Sequence, residues 1–134
     1  MGRFLWIGLA GAVGTWVRYL VTLASARVLG PSFPWGTSFP WATLLVNLTG
    51  CLLIAFVVEL ALLRGSEDAA WRVIITTGFL GGLTTYSSFN NETLRLFSER
   101  GASFAAINFV VTAGGGLLAG TLGLFLAKRF FDTT

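Results

Sequence analysis

Five consecutive hydroxyl side chains, Thr84, Thr85, Tyr86, Ser87 and Ser88, follow a glycine pair and precede Phe89, Asn90, Asn91 and Glu92 in the stretch GFLGGLTTYSSFNNE (78–92). On a helix starting near Tyr86, Tyr86 and Phe89 share a face, while Ser88 with Glu92 and Ser87 with Asn91 form polar rows at a spacing of four. Thr43 and Asn47, also four apart, form a similar row earlier in the chain. The hydroxyls and amides donate hydrogen bonds without carrying positive charge. A small anion with a tightly held hydration shell needs such donors in place of the water it sheds. The positive edges of aromatic rings add to them. A cation path would more often show rings of carbonyls or carboxylates. The same residue types also serve as glue between membrane helices, at about 0.6 kcal/mol per contact. For Thr43, Thr49, Asn108 or Thr112 taken singly, that packing role is the simpler reading.

Two charges join this set. Arg18 interrupts the first apolar run, where it can hold backbone carbonyls at a helix break or concentrate anions in a vestibule. Glu92 either belongs to the polar rows or lies near the membrane surface, where Arg95 can pair with it. Glu59, close to the end of its apolar run, reads as interfacial.

Most of the remaining chain is apolar. Of 134 residues, 54% are hydrophobic and 11% charged, and the mean hydropathy is +0.77. Soluble domains carry about a quarter charged residues. The sequence therefore predicts a single all-α integral membrane domain over 1–134, since a span needs about 20 apolar residues. Four spans are expected, at about 4–29, 41–63, 71–97 and 104–127. The first lacks a small-residue cleavage site and continues too long for a signal peptide, so it should remain in the mature protein. Between the first two, GPSFPWGTSFPW (30–41) holds all three prolines and reads as a loop with interfacial Trp35 and Trp41. RGSEDAAWR (64–72) reads as a polar turn.

The third span has a polar middle. Gly81 and Gly82 followed by Thr84 and Thr85 weaken helix propensity and offer hydroxyls that compete for backbone partners. This predicts an apolar half ending near Gly81, an unwound turn at mid-membrane, and a second half from about Tyr86. Broken helices often place ion sites at their unwound centres. The plainer alternative is a continuous helix that uses Gly and Thr for close packing.

Five basic residues flank one side of the spans (Arg3, Arg64, Arg72, Lys128, Arg129) and three the other (Arg27, Arg95, Arg100). So weak a bias under the positive-inside rule permits insertion both ways and antiparallel self-pairing. Glycine-rich faces at Gly8, Gly11 and Gly14, and at Gly114 to Gly123, allow close helix approach within or between chains. Four helices leave little room for a private water path, which points to an oligomer. The net charge of +3 contains no basic run that would contact nucleic acid. Histidine is absent and Cys51 is the only cysteine, which excludes internal disulfides, thiolate metal clusters and histidine triads. Cys51, in an apolar run, reads as a small hydrophobe. No nucleophile–base set is present, so an enzyme is not expected.

In its residues GFLGGLTTYSSF the chain resembles the Fluc (CrcB) family of fluoride channels, whose third helix carries a Gly-Gly-Leu-Ser/Thr-Thr-Phe-Ser-Thr-Phe run followed by a glutamate. GAVGTWVRY (11–19) and TLLVNLTG (43–50) match in order, so the likeness covers the whole length. The resemblance implies an antiparallel, dual-topology homodimer with two fluoride pores in the bacterial inner membrane. Fluoride would leave the cytoplasm passively and so protect the cell against fluoride toxicity. It implies a structural Na⁺ at the dimer centre, held by the main-chain carbonyls of Gly81 and Thr84. It also implies that Tyr86 and Phe89 form the aromatic pair and that Thr43, Ser87 and Ser88 form the polar track. Asn47 then matches the pore asparagine, Glu92 the glutamate near one pore end, and Arg18 the first-span arginine. Tyr86 departs from the usual Phe, Ser88 from a common Thr, and Asn90 and Asn91 from small or apolar residues. The rival readings are a small proton-coupled exporter, which needs a deep carboxylate and has only Glu92, and a non-conducting membrane subunit.

Overall fold

The computed structural model of the chain describes residues 2–29, 39–66 and 69–132. Expectations placed on Trp35 in the proline-rich stretch, and on Glu67 and Asp68 in the polar turn, lie outside the described residues. Within them all regular structure is helical and no strand occurs. Helix α1 runs Gly2–Val28 and α2 Trp41–Leu63. Short α3 (Ala70–Val73) continues into a π-helical segment, Ile74–Leu80, and then α4, Gly81–Leu83. Helix α5 runs Tyr86–Arg100 and α6 Ala102–Asp132.

Three of these, α1, α2 and most of α6, are long and apolar enough to cross a membrane. At 1.5 Å per residue the 27 residues of α1 reach about 40 Å, beyond the hydrocarbon thickness. The 15 residues of α5 reach only about 22 Å and include Ser, Asn, Glu and Arg. The chain is thus a multi-pass, all-helical membrane protein.

The helical path from Ala70 stops after Leu83. Thr84 (φ −85°, ψ 158°) and Thr85 (φ −154°, ψ 116°) are extended, and a new helix starts at Tyr86. The sequence placed the unwinding from Gly81. Gly81 is instead helical, at φ −63° and ψ −36°. The glycines serve close packing rather than loss of helix. A Cβ on Gly82 would strike the carbonyl oxygen of Gly11, and one on Gly14 would strike that of Phe79. A Cβ on Gly78 would lie 2.9 Å from the Ile7 carbonyl. Backbone therefore meets backbone where α1 crosses the π segment and α4. The π segment adds one residue per turn over a single stretch. It keeps Gly78 and Gly82 aligned on α1 while Thr76 and Gly81 face the other way, into a cavity shared with α2 and α6.

Helix α2 lies along α6, with a Cβ on Gly123 excluded by the carbonyl of Leu52. Helix α5 folds back on α6 through Gly101, whose φ of 89° suits glycine and whose N–H closes on the Phe97 carbonyl at 3.1 Å. Two small cores result. Val46, Leu80 and Leu83 pack with Val17 and Leu53 beside the interruption, and Leu44, Leu96 and Ala105 join α2, α5 and α6.

Gly82→Val should force α1 off α4 and lower the thermal midpoint of the detergent-purified protein, since overpacking typically costs about 1–3 kcal/mol. Gly8→Ala, where an added Cβ meets nothing within 4 Å, is the control and should leave the midpoint unchanged or slightly raised. Equal midpoints for Gly82→Val and the unsubstituted protein would show that the glycine contact is not tight.

Candidate functional site

A break in a helix frees backbone groups that apolar surroundings do not tolerate. At Thr85 they are taken up by one side chain. The Thr85 N–H donates to Asn47 Oδ1 at 2.9 Å, and Asn47 Nδ2 donates to the Thr85 carbonyl at 3.1 Å. The carboxamide thus pairs with an extended residue as a neighbouring strand would. Thr43, one turn before Asn47 on α2, donates to Glu92 Oε1 at 2.8 Å. From α1, Arg18 Nη1 donates to the Thr84 carbonyl at 3.4 Å, and Thr15 Oγ1 reaches the Gly82 carbonyl at 3.5 Å.

Thr85 also starts α5. Its Oγ1 accepts from the Ser88 N–H at 3.2 Å and donates to Ser88 Oγ at 3.1 Å, with Ser87 Oγ at 3.3 Å. The N–H groups of Tyr86 and Ser87 have no acceptor among the described residues. The start of α5 is therefore a cluster of hydroxyls and unused N–H groups at the positive end of a helix dipole. The sequence placed Thr85 among the hydroxyls of the break but gave it no role in the ion path or the cation site. Its signal was a threonine directly before a helix start, which is an ordinary capping pattern.

Cavities lie on both sides of this cluster. One of about 310 Å³ is lined by Arg18, Thr43, Thr85, Ser88 and Glu92 among others. Another of about 190 Å³, toward Pro40 and Trp41, shares Thr22, Ala42 and Glu92 with it. On the far side of Thr85 a mostly apolar cavity of about 530 Å³ has Asn47, Gly81, Thr84, Tyr86, Phe89 and Thr112 in its wall. Thr85 lines this cavity and the first, and so stands at the junction of a polar space and an aromatic one, with Asn47 on the aromatic side.

Tyr86 and Phe89 come together with ring centroids 5.9 Å apart at 55°. Phe89 is 7% exposed, and the Tyr86 ring 77%. Phe109 of α6 lies 6.1 Å from Phe89, centroid to centroid. Ser87, Asn90 and Asn91 are exposed and Ser88 half-buried. Glu92 does not pair with Arg95, whose Nε binds Glu99 Oε1 at 2.8 Å. The spacing of four on one helix face wins over three, and Thr43 holds Glu92 inward. Its Oε2 is buried without a partner. Glu59 lies 3.8 Å from Lys128.

The carbonyls of Gly81 and Thr84 suit a hard monovalent cation by type, since ends of half-helices and unwound turns often supply such ligands. The Thr85 N–H, which would have closed on the Gly81 carbonyl four residues back, is turned to Asn47 instead, so the Gly81 oxygen remains open. The Thr84 oxygen takes a long bond from a guanidinium, which competes with a cation for it.

The sequence matches a family model described as CrcB-like protein, Camphor Resistance (CrcB), over residues 5–124. It is 41% identical over 129 residues to a protein of Sorangium cellulosum named fluoride-specific ion channel FluC, covering 96% of this chain and 97% of that one. Proteins of the same name from Rhizobium etli and Clostridium perfringens are 37% and 33% identical, over 97% and 93% of this chain and 92% and 93% of theirs. With the family pattern running nearly end to end, through the first-helix arginine, the Asn47 clamp and the interrupted third segment, the chain belongs to the CrcB family.

Proposed function

We propose that the chain is a fluoride channel, not an enzyme, which lets F⁻ leave the cytoplasm passively and so limits fluoride toxicity. The name shared by its relatives supports this reading. The observation that carries it is the start of α5. Hydroxyls of Thr85, Ser87 and Ser88 and the unused N–H groups of Tyr86 and Ser87 gather between a polar cavity and an aromatic one. Such neutral donors replace the hydration of a small hard anion without trapping it.

On this reading Ala70–Leu83 and α5 together form a fourth span, interrupted at mid-membrane. Thr43, Ser87 and Ser88 form the track, Glu92 stands near one end of it, and Phe89 and Tyr86 present ring edges at the other. Asn47 keeps the break open and offers its second amide hydrogen to the ion. Arg18 draws anions into the polar cavity. Two copies pair antiparallel in the bacterial inner membrane, with the wide apolar cavity and the exposed apolar faces of α1 and α6 meeting the second copy or lipid. A structural Na⁺ at the centre is held by the carbonyls of Gly81 and Thr84 from each copy, where it would tie the two breaks together.

One feature favours the rival reading of a proton-coupled exporter: Glu92 lines the polar cavity with one carboxylate oxygen unbonded. A single assay separates the two. Liposomes loaded with potassium fluoride should release F⁻ when valinomycin carries K⁺, and those loaded with chloride should retain it. Flux that requires a pH gradient and disappears in Glu92→Gln would favour the exporter.

Asn47→Ala removes both bonds to Thr85 and leaves a buried N–H unsatisfied, at about 1–3 kcal/mol. It should lower both flux and thermal midpoint; unchanged values of both would remove the clamp from the account. Phe89→Ile should lower fluoride flux while the protein elutes at its usual size. Tyr86→Phe should keep flux, and a dead variant would give the phenol a role of its own.

A further inference from the structure

Asn108 is the most buried polar side chain of the described residues, at 1% exposure. It lies on α6, next to Phe109. Its Nδ2 donates to Thr93 Oγ1 at 2.8 Å, and Thr93 Oγ1 in turn donates to the Phe89 carbonyl at 2.7 Å. One hydroxyl is therefore both acceptor and donor, and it links α6 to the turn of α5 that carries Phe89. The amide orientation follows from this. Turned over, Asn108 would set its oxygen against a hydroxyl whose only hydrogen already points at Phe89.

The remaining oxygen, Oδ1, is buried and has no partner. A leucine would fill the same space without that penalty. What only an amide supplies is the N–H to Thr93. Around it Leu96 and Ala105 pack as apolar surfaces without the direction of a hydrogen bond, and the tie of Glu92 to Thr43 fixes α5 to α2 rather than to α6. The rotation of α5 matters because the Phe89 ring meets that of Phe109 on α6, at a centroid separation of 6.1 Å. A small turn of α5 about its axis would break that contact and carry the Tyr86 ring, on the same helix, along with Phe89.

We infer that Asn108 is a positioning residue for conduction, which acts through Thr93 to hold the Phe89 ring at its angle beside the ion path. This rests on the reading of Phe89 as part of that path. The linkage is a chain of two hydrogen bonds across α5 and α6, so its members should behave as one unit.

The test is fluoride efflux from liposomes by the full-length protein, normalised to correctly assembled protein. Asn108→Leu and Thr93→Val should each lower flux roughly tenfold, within the range for residues joined in one hydrogen-bond network, and together no further. Thr93→Ser keeps the hydroxyl and should retain flux. Added to Phe89→Ile, Asn108→Leu should have no further effect, a result that packing glue would not produce. Independent, multiplying losses in either pair overturn the inference, as does normal flux in Thr93→Val. Should Asn108→Leu fail to assemble, Thr93→Val against Thr93→Ser decides alone. If Phe89→Ile itself conducts normally, the reading of Phe89 fails; multiplying losses beside a defective Phe89→Ile sink only the role of Asn108.

Discussion

The structure depends on how the backbone of one residue is satisfied. An extended residue between two helices exposes an N–H and a C=O that, away from water, are worth several kcal/mol if left alone. A carboxamide carries a donor and an acceptor side by side on one edge, as an extended residue presents its own N–H and C=O. Asn47 presents both to Thr85, at 3.1 and 2.9 Å. Because the break is sealed this way from α2, α5 can begin afresh with its own cap. That restart is what brings the unused N–H groups of Tyr86 and Ser87 and a positive dipole end to the same place.

The break also needs its first half held still. Gly82 and Gly14 let α1 and α4 meet at backbone distance, and Arg18 and Thr15 reach from the same helix to carbonyls at the end of α4. The glycines that lower helix propensity in the sequence therefore support a helix here. Contact with α1 offsets the intrinsic penalty of Gly82, and the π segment sets the face it shares with Gly78.

Much of this was legible in the sequence. Helix α2 spans Trp41–Leu63, the range its apolar run suggested, because a long apolar run between a proline and an arginine leaves little choice. The pairing of Tyr86 with Phe89 followed from helical spacing alone. The site of unwinding did not, because Gly81 and Thr84 both weaken a helix and only the approach of α1 decides between them. The Asn47–Thr85 bonds join residues 38 apart, and no local pattern reports such a partner. Asn108 was read as glue for the same reason: nothing around it in the sequence points to Thr93, 15 residues away. Glu92 had two partners within reach by spacing, and the choice was made by Thr43 on another helix.

The two charges facing the polar cavity explain why the rest of its lining is neutral. Arg18 and Glu92 both line it, yet they form no ion pair with each other, and Arg18 makes only a long bond to a carbonyl. On the proposed reading, a guanidinium without a carboxylate partner would draw an anion from solution toward the cavity. Were the lining cationic throughout, the ion would bind and stay, since release must match entry for conduction. Hydroxyls and amides solve this by offering directed donors with no net charge. On the same reading Glu92, bonded through one oxygen to Thr43, would repel the ion and so favour departure over residence. Attraction, neutral solvation and repulsion would thus come from residues of three different helices, and the interruption at Thr84 and Thr85 is what lets them share one space.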